Sequence, residues 1–140
     1  MEVDFSDLLP HQKPFVLPSG LIEFEPVKYI RAYRDIEADD YFLNGHFPGK
    51  PIFPGVMIVE LMAQTAGGLL RLSGYPALQM YLVKVDKARF SAIVSPPARL
   101  EVKVDFIRQR AMIWEFKGCA YLNEKQVASA TITLALKDES

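Results

Sequence analysis

The sequence predicts an α+β domain in which an antiparallel sheet of about five or six strands wraps around one long central helix. Three observations predict it. The run from Gly55 to about Ser73 is apolar on nearly every side, as in a helix that its surroundings must cover all round. The segments flanking it carry the two-residue alternation and the turn residues of strands. A sheet with one buried face can bury such a helix only by curling around it. At 140 residues the chain forms one domain, residues 1–140, with no visible linker, repeat or low-complexity tract.

Each element follows in order. The lead-in "MEVDFSDLLPHQKPFVLPSG" holds three prolines and reads as irregular, with a short helical turn around Ser6 to Leu9. "LIEFE" and "KYIRAYRDI" flank Pro26-Val27 and read as an antiparallel pair joined by a tight turn. A loop rich in proline and glycine leads into the helix, Gly74 stands where a C-terminal cap is expected, and Pro76 acts as a stop. "QMYLVKVDKARF" and "SAIVSPP" come next. "RLEVKVDFIRQR" then alternates cleanly, with Leu100, Val102, Val104 and Phe106 on one face and Glu101, Lys103 and Asp105 on the other. "MIWEFKGCAYL" and "QVASATITLAL" complete the sheet, joined by the polar turn Asn123-Glu124-Lys125.

Composition removes several classes of function. Hydrophobic residues at 50% against charged residues at 24% give the balance of a soluble protein. A formal net charge of -1 leaves no basic field for nucleic acid or anionic lipid. Cys119 is alone, so no intrachain disulfide forms, and it reads as a small core residue. The acidic start "MEVDFSDLLP" is unlike a signal peptide, and a cytoplasmic location is expected. Glu60, Gln64 and Arg71 interrupt the apolar run and argue against a membrane span. Two histidines and one cysteine without clustered carboxylates do not suggest a transition-metal site. No glycine-rich turn after a strand supports a phosphate cradle, and no serine sits in a G-x-S-x-G context.

The remaining chemistry centres on "GHFPGKPIFPGVMIVELMAQ", Gly45 to Gln64. Pro48, Pro51 and Pro54 stiffen the loop, and Gly45, Gly49 and Gly55 permit conformations other residues resist. Judged alone, His46 reads as a satisfied structural histidine. Glu60 changes that reading. It lies about one and a half turns into an otherwise apolar helix. There an ionised carboxylate must find a partner or stay protonated. Gln64, four residues on, shares its helical face and can hydrogen-bond it, so a purely structural Glu–Gln pair is the competing account. A neutral carboxyl that gives a proton and a histidine that takes one make an acid–base pair. The helix start at Pro54-Gly55 adds unpaired backbone N–H groups at the positive end of the dipole, where a carbonyl gaining charge would be held.

"LPHQKPF", "GHFPGKPIFPGVMIVELMAQTAG" and "VDKARF" resemble the 3-hydroxyacyl-[acyl-carrier-protein] dehydratases of bacterial fatty-acid synthesis, nearest to the branch with a helical glutamate. The dehydratase–isomerase branch has aspartate at the position of Glu60. The resemblance runs along essentially the whole chain, and the central stretch is its most specific part. It implies a hotdog fold and homodimers, in some cases built into hexamers, with active sites at the dimer interface. It implies His46 as the base, Glu60 of the partner subunit as the acid, the Gly55 N–H as carbonyl donor and Gln64 as the residue that orients Glu60. Phe47, Pro54 and Val56 would help bind substrate. No cofactor is implied, and the partner is an acyl carrier protein with its phosphopantetheine-linked acyl chain. Lys50, Lys84, Lys87 and Arg89 are candidates to receive that carrier, with simple solvation as the alternative.

Beside these, His11 reads as a structural contact at the chain's entry. Trp114, Phe116 and Tyr121 read as sheet packing, with one of them a candidate to line the acyl tunnel. Two stretches depart from the family pattern, "FVLPSG" with Pro18, Ser19 and Gly20, and "SPPAR" with Pro96, Pro97 and Ala98. Neither is expected to touch His46 or Glu60. Two other functions stay open: a hotdog thioesterase that activates water with a carboxylate, and a non-catalytic subunit that binds acyl chains or completes a dehydratase dimer.

Overall fold

The computed structural model describes residues 3–43, 45–75 and 79–137. Six strands and one long helix are present: β1 (Gly20–Glu25), β2 (Tyr29–Ile36), α1 (Gly55–Leu72), β3 (Gln79–Phe90), β4 (Ala98–Arg110), β5 (Ile113–Leu122) and β6 (Lys125–Lys137). A short 3-10 turn at Phe5–Asp7 overlaps the expected one, and a second stands at Tyr41–Leu43. The stretch "SAIVSPP" is irregular and only connects β3 to β4.

All strands join one sheet in the order β1-β2-β4-β5-β6-β3, and each neighbouring pair is antiparallel. The sheet curls around α1, which packs against β2, β3, β4, β5 and β6. This is the wrapped sheet that the sequence pattern predicted and the hotdog fold that the resemblance implied. The alternation in β4 falls as expected, with Leu100, Val102 and Val104 buried against the helix. Two of the aromatics of β5 also face inward: Trp114 packs edge-on against Tyr75 at 4.9 Å between ring centroids, and Phe116 is fully buried.

The helix end explains Gly74. Its φ of 100° suits a residue without a side chain. Tyr75 N–H donates to the Leu70 carbonyl and Gly74 N–H to that of Arg71, the paired bonds that close a helix at a left-handed residue. Pro76, the expected stop, lies outside the described residues. The same end latches the β1–β2 turn: Val27 N–H donates to Ser73 Oγ at 2.9 Å.

The outer face of β5 departs from expectation. Gly118 and Ala120 face the core, and Cys119 and Tyr121 face outward and are half-buried. The reason is space. A Cβ on Gly118 would stand 2.6 Å from Met62 Sδ, so the inward positions must be small. Cys119 is therefore not a core residue, and Tyr121 does not reach the helix side of the sheet. Partial burial, then the neighbouring Cys119, raises the Tyr121 hydroxyl above its ordinary value.

Candidate active site

The loop between β2 and α1 is held by its own backbone. Phe47 N–H donates to the Lys50 carbonyl and Lys50 N–H returns to that of Phe47, with Gly49 in the left-handed region at φ 75°. Ile52 N–H closes a wider ring onto the His46 carbonyl at 2.7 Å, and Phe53, buried, ties the loop to Val94. His46 Nδ1 lies 2.9 Å from the Ile52 carbonyl oxygen. A carbonyl only accepts, so Nδ1 carries a hydrogen, and in the neutral imidazole the lone pair is on Nε2. The Phe47 ring stacks on the imidazole at 4.2 Å and limits its rotation.

The start of α1 has spare donors. Pro54 takes the N-cap position without a side-chain acceptor, and its carbonyl receives the N–H groups of Met57 and Ile58. Among the described residues the N–H groups of Gly55 and Val56 have no acceptor. A cavity of about 300 Å³ opens beside them, lined by Ile52, Gly55, Ile58, Phe90 and Ile93 among others. A Cβ on Gly55 would approach the Phe90 ring to 3.1 Å, so glycine lets that ring lie against the helix start.

Glu60 lies on the turn after these donors, and Gln64 fixes it. Gln64 is 1% exposed, so its amide must be satisfied from within the protein. Oε1 accepts from Leu17 N–H at 2.8 Å, and Nε2 donates to the Phe15 carbonyl and to Glu60 Oε2, both at 2.9 Å. Leu17 N–H can only donate and the Phe15 carbonyl can only accept, so the amide has one possible orientation. Glu60 Oε2 is therefore always an acceptor. Its other oxygen, Oε1, has no partner among the described residues. His11 Nε2 stands 3.7 Å from Oε2, and His11 Nδ1 is shielded from solvent without a partner. His11, Glu60, Ala63, Gln64, Met80 and Leu82 line a cavity of about 30 Å³.

The FabA-like domain matches residues 9–131 of the chain. Over 138 residues the chain is 41% identical to the 3-hydroxyacyl-[acyl-carrier-protein] dehydratase FabZ of Erwinia tasmaniensis, covering 96% of this chain and 91% of the relative. It is 39% identical to FabZ of Blochmanniella floridana over 137 residues, covering 95% and 90%. The chain belongs to the FabA-like family of 3-hydroxyacyl-[acyl-carrier-protein] dehydratases. In fold it is similar to a chain of the dehydratase heterocomplex ApeI:P from Xenorhabdus doucetiae, at TM-score 0.86 and 16% identity over 98% of this chain and 93% of that one. It also shares its fold with the fluoroacetyl-CoA thioesterase FlK, at TM-score 0.68 and 11% identity over 83% and 90%.

For a member of this dehydratase family, two features differ from what the sequence alone suggested. Glu60 is not sealed in the core: its side chain is 25% exposed, on the partly open near end of α1. His11, read from the sequence as a structural contact at the chain's entry, has Glu60 as its neighbour at 3.7 Å. Residues 15 and 17 come from the stretch that departs from the family pattern, yet they hold Gln64 through main-chain groups, which any residue but proline at position 17 would leave in place. Within one chain, no hydrogen bond or ion pair joins His46 to Glu60 among the described residues. Val56 is 75% exposed and Phe47 51% exposed, so the expected substrate-binding residues lie at the surface around the loop and helix start.

Proposed function

We propose that this chain dehydrates 3-hydroxyacyl groups carried on acyl carrier protein to trans-2-enoyl thioesters, with His46 as base and Glu60 as acid. The observation that carries this reading is the complementary bonding of the two side chains. His46 offers a lone pair on Nε2 because Nδ1 is engaged by Ile52. Glu60 keeps Oε1 free to hold a proton because Gln64 engages Oε2. His46 Nε2 removes a proton from the carbon next to the thioester carbonyl. The electron pair forms the new double bond as the C3–O bond breaks, and Glu60 Oε1 delivers its proton to the departing hydroxyl, which leaves as water. The N–H groups of Gly55 and Val56 stabilise the thioester oxygen as it gains charge. Proton exchange through solvent then returns the proton from His46 to Glu60.

The site is completed by a second copy of the chain. β3 is an edge strand whose Tyr81, Leu82, Val83 and Val85 are exposed, an apolar edge that invites pairing. Docking two such edges covers the open face of α1 and sets Glu60 of one protomer against His46 of its partner. Hexamers would be built from these dimers. Lys50, Lys84, Lys87 and Arg89 are exposed and suit an acidic carrier delivering its phosphopantetheine arm. The reading places the reaction in the cytoplasm.

The test is mass spectrometry of a 3-hydroxyacyl-carrier thioester incubated with wild type, His46→Ala and Glu60→Gln. Loss of water with wild type alone is the expected result. Release of free acid would make the protein a thioesterase, and no turnover at any chain length would make it an accessory subunit.

A further inference from the structure

The segment "LPHQKPF" enters the reading above only through the carbonyl of Phe15. Yet the same seven residues carry His11, and three observations converge on that side chain. Its Nε2 points at Glu60 Oε2 from 3.7 Å. Its Nδ1 is shielded and has no partner, so nothing on that side of the ring competes for its orientation. Finally, it shares with Glu60 and Gln64 the walls of one cavity of about 30 Å³, too small for a large rearrangement.

Resting on the dehydration proposed above, we infer that His11 is a positioning residue for the acid. Its Nε2–H and the Gln64 amide converge on Oε2 and leave Oε1 as the single oxygen that carries the transferable proton. One donor fixes where Oε2 sits, but the carboxyl can still swing about that bond. A second donor from a different element fixes its plane. Gln64 is on the helix and His11 is on the lead-in, and the lead-in is tied to Gln64 at residues 15 and 17. The acid is thus clamped between two elements. The tautomer that serves is the one with its hydrogen on Nε2, which aims a donor at the carboxyl. The present 3.7 Å is longer than a hydrogen bond, and such contacts close when substrate fills the site.

The experiment compares kcat and KM for a 3-hydroxyacyl-carrier thioester with wild type, His11→Gln, His11→Asn and His11→Leu, alongside their melting temperatures. The Gln amide nitrogen reaches the place of Nε2, whereas that of Asn reaches only the place of Nδ1. Expected is a fall in kcat of about tenfold for Leu and Asn, the loss of one hydrogen bond, with KM within about twofold. Gln should stay within about threefold of wild type. Wild-type kcat in His11→Leu overturns the inference, as does an equal fall in all three variants that tracks their melting temperatures. If His11→Leu does not fold, the Gln–Asn pair decides by itself, since both are polar and differ in where the amide sits. A wild type that forms no enoyl product refutes the dehydratase reading. A wild type that dehydrates while all His11 variants match it refutes only the role of His11.

Discussion

The two halves of α1 have similar composition and opposite surroundings. From Leu61 to Leu70 every residue is buried, including Gln64 and Thr65, whose polar groups are bonded internally. From Gly55 to Glu60 the helix is partly open: Val56 is 75% exposed, and Met57 and Glu60 are half-buried. The sheet and the lead-in close over the far half, where Phe5 and Leu9 lie against Gly68 and Gly67, and the near half keeps exposed positions although Phe90 of β3 lies beside Gly55. Under the proposed function one helix serves two purposes, with stability where burial is complete and chemistry where unpaired N–H groups and a free carboxyl oxygen remain.

Adjacent residues break this comparison most sharply. Glu60→Gln keeps an acceptor for Gln64 but removes the proton, so turnover should fall by about 10²–10⁴-fold with the melting temperature little changed. Leu61→Ala, one position on, removes a fully buried side chain and should cost about 2–5 kcal/mol of stability, with residual activity tracking the folded fraction. Chemical denaturation and steady-state assays on both variants check this. A Glu60→Gln protein as unstable as Leu61→Ala would show that the open half also carries the fold.

Two glycines sharpen the same contrast with a smaller effect. In Gly118→Ala the new methyl meets Met62 Sδ at 2.6 Å, Cγ at 2.9 Å and Cβ at 3.2 Å, deep in the buried half. About 1–3 kcal/mol should be lost to overpacking. In Gly67→Ala the methyl meets the Sδ and Cε of Met80, the end of a flexible side chain that also lines the Glu60 cavity. Met80 can move into that cavity, so stability should fall by less than about 1 kcal/mol. Equal stability losses in the two variants would show that Met80 has no room to move.

What could be read in the sequence follows the same division. The helix, the alternating β4 and the glycine at the helix end are local patterns, and each came through because its cause lies within a few residues. Glu60 stood out as a candidate because a carboxyl in an apolar helix is locally anomalous, and His46, a structural histidine when judged alone, became a candidate only beside it. The proximity of His11 to Glu60 was not visible, because it depends on packing against a residue 49 positions away and His11 looks like any polar residue of a proline-rich lead-in. Cys119 was misread for a related reason. The core face of β5 carries Gly118 and Ala120 to make room for Met62, so the more hydrophobic neighbour points outward. The bulges of β3 between Leu82 and Lys84 and between Asp86 and Arg89, with Lys87 at φ 52°, also leave no signature in its apolar pattern.

The smallest effect belongs to the outer face of the sheet, away from both halves of the helix. Asp35 on β2 and Arg99 on β4 are paired across the strands by two hydrogen bonds of 2.7 and 2.9 Å, and the guanidinium also lies 4.0 Å from the centre of the Tyr33 ring. The Arg99 hydrogen bonds hold the Asp35 carboxyl below its ordinary value, against a smaller opposing effect of partial burial, with the charges of Arg99 and Arg34 adding to the lowering. A lowered carboxyl stabilises the fold wherever it is ionised in the folded state, so the contribution is full above the unfolded value of about 3.9. It is lost as pH falls through the lower folded value. Both side chains are solvent-accessible, so water and salt screen the pair and its contribution is small. Melting temperatures of wild type and Asp35→Asn should therefore differ slightly at neutral pH, keep that difference down to about pH 4, and converge below it. Raising the salt to about 1 M should narrow the gap at every pH. An advantage of wild type that grew toward acid pH would have the wrong sign for this pair and would assign the stabilisation to a group whose value is raised by folding.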